Sequence, residues 1–141
     1  MSRFSQFDEV RVEPGEYELK FEHYETILFH GRYPKAVLWF SILDFGEHNE
    51  KKIPRYYRLE KIFGKPGKHS KLKFGKRSDL NKEYLKLFDK PSRTLEIDWD
   101  LYKQHIILGE VKTVTKDFRG DKYHPSLVYS VLKRLKKVKE I

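Results

Sequence analysis

The stretch Ser78-Asp79-Leu80-Asn81-Lys82-Glu83-Tyr84-Leu85-Lys86-Leu87-Phe88 decides how this chain is read. Ser78 is a good N-cap and Asp79 suits a first helical turn, where the backbone dipole favours negative charge. Leu80, Tyr84, Leu85, Leu87 and Phe88 recur at helical spacing and fall on one face, and Lys90-Pro91 closes the pattern. The position of this helix matters more than its existence. Three segments with a strand-like period precede it and two follow.

Upstream, Glu13-Pro14-Gly15 sets a turn, after which Tyr17, Leu19 and Phe21 alternate with Glu16, Glu18, Lys20 and Glu22. That period of two marks a half-buried strand, and continuation to Phe29 requires coiling or a bulge. His30-Gly31-Arg32-Tyr33-Pro34 interrupts it. A second strand runs from Lys35 to Asp44 with apolar residues on both faces, so both need covering. Phe45-Gly46-Glu47-His48-Asn49 has hairpin length. Lys51 to Glu60 is the third strand, and Pro54, which has no N–H, puts it at a sheet edge. Downstream, Asp98 caps a single helical turn, residues 105 to 115 form a fourth strand in which Gly109 permits a bend, and Leu127 to Leu132 form a fifth.

Three strands, a helix and two strands is the order of the OB-fold. The expected class is mainly β, a five-stranded OB-fold-like barrel with one helix between strands 3 and 4; an open α+β sheet is the alternative. Residues 1–141 suit a single domain, with a loose N-terminal arm over 1–12, a basic flexible loop over 61–77 and a basic tail over 133–141. The absence of cysteine excludes disulfides, thiol nucleophiles and Cys-type metal centres. With no long apolar run and no apolar leader after Met1, a cytoplasmic protein that does not enter membranes is expected.

The net charge of +9 is unevenly spread. Residues 51 to 77 hold eleven basic side chains against one acidic, and 133 to 141 hold five against one, whereas residues 1 to 50 are net acidic. Clustered cations gain affinity for a phosphate backbone by releasing its condensed counterions. In Pro54-Arg55-Tyr56-Tyr57-Arg58 two arginines flank two rings on which bases could stack; the tyrosines point to opposite sides of a strand, so one faces the core. Lys61, Lys65, Lys68, Lys71, Lys73, Lys76 and Arg77 punctuate the basic loop beside Phe74. Gly64-Lys65-Pro66-Gly67-Lys68 lacks the spacing of a nucleotide-triphosphate loop, and Pro66 removes an N–H that such a loop uses. OB-fold ligands lie across strands 2 and 3 and between two loops. Here those loops offer Arg32 and Tyr33 next to Lys35, and Lys116, Phe118, Arg119, Lys122 and Tyr123. Trp39 is either a stacking platform on strand 2 or a core residue. No catalytic signature and no His grouping of a metal site is present, so neither catalysis nor a cofactor is expected.

Pro14-Gly15-Glu16-Tyr17, Gly31-Arg32-Tyr33-Pro34-Lys35, Leu38-Trp39-Phe40, Ile53-Pro54-Arg55-Tyr56-Tyr57 and Gly64-Lys65-Pro66-Gly67, with Gly109-Glu110-Val111-Lys112-Thr113-Val114-Thr115 and Tyr129-Ser130-Val131 later on, resemble small proteins of phages and integrative elements. In arrangement these are similar to phage single-stranded DNA-binding proteins with an OB-fold. The resemblance implies sequence-tolerant binding of single-stranded DNA, with RNA as a further ligand, in replication or recombination of a mobile element, alongside replication or recombination proteins. The basic segment Lys133-Arg134-Leu135-Lys136-Lys137 departs from the acidic tail common in single-strand binders. A protein-interaction module, an inhibitor or accessory subunit of a nucleic-acid-processing complex, is the alternative function.

Overall fold

A computed structural model describes residues 11–89, 96–116, 119–122 and 128–139. The expected strands and helices form, with shifted ends. Strands β1 (Gly15–Phe29), β2 (Tyr33–Ile42) and β3 (Lys52–Arg58) are followed by a short pair, β4 (Lys61–Ile62) and β5 (Leu72–Lys73). Helices α1 (Asp79–Phe88) and α2 (Trp99–Gln104) lead to β6 (Ile106–Val114) and β7 (Tyr129–Val138). Ser78 caps α1 by accepting the Asn81 N–H at 3.2 Å, and Asp98 caps α2 by accepting the Asp100 N–H at 3.1 Å.

Five strands make one antiparallel sheet in the order β3-β2-β1-β6-β7. The proline-bearing β3 is at an edge, as its missing N–H requires. The length of β1 follows from its two partners: Gly15 to Lys20 pair with β6, while Leu19 to Phe29 pair with β2. The register shifts between Phe21 and His23, an extra residue of the kind that bends a strand and raises its twist.

The sheet does not close into the expected barrel. Among the described residues no hydrogen-bonded ladder joins the edges β3 and β7. A carboxylate from α1 takes the place of the rungs: Glu83 Oε1 accepts the backbone N–H of Leu135 on β7 at 2.8 Å and the Tyr57 hydroxyl of β3 at 3.0 Å. Beneath this seam lies the core, built from Leu19, Phe21, Leu38, Phe40, Ile53, Ile107 and Leu132 of the sheet and Leu80, Tyr84 and Leu87 of α1. Leu85 is 44% exposed, so the apolar face of α1 is narrower than its spacing suggests.

The loop expected to be flexible, and the described parts of the arm and of the basic tail, are bound to the fold. The 61–77 loop is a hairpin: Glu60 donates to Lys73 O and Phe63 to Lys71 O, both at 2.9 Å, and its tip reaches β1, where Thr26 N–H donates to Gly67 O at 3.0 Å. Phe74 is buried and Ile62 and Leu72 pack against the core, because apolar side chains alternating with lysines leave water when a surface is at hand. In the N-terminal arm, Val12 is buried and its N–H donates to Ser130 Oγ at 2.8 Å; residues 1–10 lie outside the described residues. The tail is strand as far as Val138, since Leu135 faces the core.

Gly109 does more than permit a bend. A Cβ there would stand 2.5 Å from Leu19 Cδ1 and 3.1 Å from Leu132 Cδ2, and both leucines are buried. Gly109→Ala is therefore expected to cost about 1–3 kcal/mol in urea denaturation, the usual range for overpacking. A loss below about 0.5 kcal/mol, well under that range, would show that the two leucines move aside freely.

Candidate nucleic-acid interface

The pleat sorts the predicted site residues onto two faces. Arg55 and Tyr57 stand opposite Leu38 and Ala36, all on the inner side. Tyr57 is buried, its hydroxyl donates to Glu83, and burial pushes its pKa well above that of a free tyrosine. Arg55 pairs with Glu83 through Nε at 3.2 Å and through Nη2, and lies 4.3 Å over the Tyr57 ring. Burial acts against its charge, but the Glu83 hydrogen bond and the nearby acidic groups outweigh it and hold the pKa above the ordinary arginine value. Arg55, Tyr57 and Phe74 are therefore parts of the fold, not exposed contacts.

Tyr33, Lys35, Val37 and Trp39 lie on the outer face of β2, with Arg58 and Tyr56 opposite Lys35 and Val37. Trp39 is only 7% exposed and donates from Nε1 to Glu25 Oε1 at 3.1 Å, so its ring is no open platform. Tyr56 is half-buried and its phenol pKa is pushed up, chiefly by burial and then by Tyr129 and Glu25. It therefore keeps its proton across the physiological range and can act as a neutral donor or a ring face.

Beside Tyr56 opens a cleft of about 1080 Å³ where four parts of the chain meet. β2 contributes Lys35, the end of β3 Arg58, the segment before α1 Lys76 and Arg77, and β6 Lys112. Glu60 and Asp79 are the acidic residues on its wall. Lys35 Nζ lies 4.2 Å over the Phe29 ring, and its pKa is lowered, first by burial and then by the charge of Arg58. A phosphate between Lys35 and Arg58 would relieve both effects. Among the described residues, Arg58, Lys76, Arg77 and Lys112 form no ion pair.

The remaining basic residues divide sharply. On the hairpin, Lys61, Lys65, Lys68, Lys71 and Lys73 are exposed, and among the described residues their one ion pair is Lys73 with Glu60 at 3.7 Å. Four of the five cations in and just after β7 face carboxylates of β1 and β6: Lys136 with Glu16 at 2.9 Å, Lys139, one residue past the strand, with Glu18 at 2.7 Å, and Lys133 and Arg134 with Glu110 at 3.6 and 4.0 Å. Glu16 and Glu18 of β1 thus face cations of the basic tail rather than open solvent alone, while Glu22 accepts from the Ser41 hydroxyl of β2. Arg32, Arg119 and Lys122 are exposed in the two connecting loops, and Lys116 bridges to Lys122. Phe118 and Tyr123 lie outside the described residues.

Sequence alone does not single out Lys112. Its neighbour Val111 marks it as outward-facing, but only the sheet order shows which groups it meets. No family model, no characterised protein and no solved structure matches this chain, so the site is read from its own geometry. Among the described residues, no helix is long and apolar enough to cross a membrane.

Proposed function

We propose that the protein binds single-stranded nucleic acid, DNA first, with little regard to sequence, on the outer face of β2 and β3 and in the cleft beside them. The observation that carries this reading is the convergence of Lys35, Arg58, Lys76, Arg77 and Lys112 from four segments on one cleft. Like charges held together repel one another and destabilise the compact state, a cost that a bound phosphate chain removes. The strand order also agrees with an OB-fold, in which this face and its flanking loops hold the ligand; on this reading the Glu83 seam stands where the barrel would close. On the resemblance to phage single-strand binders, we propose that the activity serves replication or recombination of a mobile element.

Fluorescence anisotropy with labelled oligo-dT, oligo-rU and a duplex, each at two salt concentrations, tests the reading. Oligo-dT is expected to bind more tightly than duplex and to weaken steeply with salt. Salt-insensitive binding, or none, would overturn it and favour the protein-interaction module.

A further inference from the structure

The cations of the cleft cannot by themselves tell one strand from two, because a duplex presents phosphates as well. Discrimination requires a group that touches what only a single strand offers, the face of an unpaired base.

Phe45 is fully exposed, but it stands in the turn beyond β2, at the opposite end of that strand from Lys35 and the cleft, and no cation lies over its ring among the described residues. Two other aromatic side chains meet that requirement. Tyr33 is 51% exposed and Phe63 47% exposed. A single exposed ring is ordinary on a protein surface. These two share three further features. Each already has a cation at its face, Arg32 at 5.8 Å from the Tyr33 centroid and Lys61 at 5.2 Å from that of Phe63. Among the described residues neither packs against another ring. Both lie at the same end of the sheet, since the Leu59 N–H, just before the hairpin that carries Phe63, donates to Pro34 O beside Tyr33 at 3.0 Å. Tyr33 also shares the outer face of β2 with Lys35, two residues along, which lines the cleft. A ring with a cation beside it offers a base a stacking surface and the adjoining phosphate a counter-charge.

We propose that Tyr33 and Phe63 are the residues that select single-stranded over double-stranded nucleic acid, stacking on unpaired bases while the cleft holds the backbone. This rests on the nucleic-acid reading above and adds where its selectivity resides. Phe63, and not the buried Phe74, is the exposed ring of the hairpin.

The experiment compares oligo-dT with a duplex of equal length by anisotropy, for the wild-type chain and for Tyr33→Ala, Phe63→Ala and the double variant. Each ring is expected to contribute at least about fivefold to the ratio of duplex to oligo-dT dissociation constants, the lower end of base–aromatic stacking. Duplex affinity and its salt slope should stay within about twofold of wild type, since the phosphate-holding cations are untouched. Tyr33→Phe and Phe63→Tyr keep a ring and should retain the ratio. Phe63→Leu keeps the apolar bulk without a π face, so a ratio lost in both Phe63→Leu and Phe63→Ala at an unchanged melting temperature assigns the effect to stacking. If wild type prefers oligo-dT and the double variant keeps that preference, the inference falls and the binding reading survives. If wild type binds neither polymer, both fall.

Discussion

Glu83→Ala is expected to lower the stability of the protein by about 3–5 kcal/mol, the usual cost of removing one partner of a buried ion pair. The side chains of Glu83 and Arg55 are each only 12% exposed, so solvent screens the pair weakly. Glu83 Oε1 alone receives the Arg55 Nε–H, the Tyr57 hydroxyl and the Leu135 N–H. Truncation leaves a guanidinium, a phenol and an edge-strand amide buried together without their acceptor, and each carries its own desolvation cost. In a chain of this size the loss corresponds to a fall in melting temperature of roughly 10–20 °C. The double variant Arg55→Met, Glu83→Leu should recover a good part of it, because a buried pair is worth far less than the cost of breaking it. Thermal denaturation followed by circular dichroism measures both. If Glu83→Ala melts within about 3 °C of the parent, a shift equivalent to less than about 1 kcal/mol, the seam between β3 and β7 is held by something other than this carboxylate.

Sequence periodicity reaches the elements and their order for a physical reason. Alternation in β1, the Ser78 cap and Pro54 in β3 are local signals, and local chemistry decides strand, helix and edge. Glu83 shows where that legibility stops. On a helical wheel it is one more polar residue beside Tyr84, and nothing near it in sequence reveals that Arg55 and Leu135 converge on it from opposite edges of a sheet. The hairpin defeats a compositional reading for a related reason: Lys, Gly and Pro dominate it, but Ile62, Leu72 and Phe74 decide its conformation by packing on the core. The basic tail misleads in the opposite sense. Its charge is plain in the sequence, yet Glu16, Glu18 and Glu110, far away along the chain, offset most of it across the sheet. Alternation within a strand makes legible that Tyr56 and Tyr57 point to opposite faces, but only the packing of Tyr57 against the core shows that Tyr56 and Arg58 are the outward pair.

The contrast between these two basic regions supports the most decisive test of the interface. Replacing Arg58, Lys76, Arg77 and Lys112 with Gln removes four charges that have no ion-pair partner among the described residues and that share one cleft. Each single-strand phosphate left without its cation should make the slope of log affinity against log salt shallower by about 0.7. At 0.1 M salt the same relation makes each neutralised phosphate worth about fivefold in affinity, so four together should weaken oligo-dT binding by roughly several hundred-fold. Stability should change little, since exposed substitutions away from packed features usually stay within about 0.5 kcal/mol each. Replacing Lys133, Arg134, Lys136 and Lys139 with Gln removes the same formal charge from β7 and the residue that follows it. Those side chains already face Glu110, Glu16 and Glu18, so they release few counterions on binding, and the slope should move by less than about 0.7, the share of a single phosphate. Net charge is identical in the two variants, which makes the comparison a test of place and not of total charge. If the β7 variant loses affinity and slope as far as the cleft variant does, binding is a property of overall basicity and the cleft is not its site.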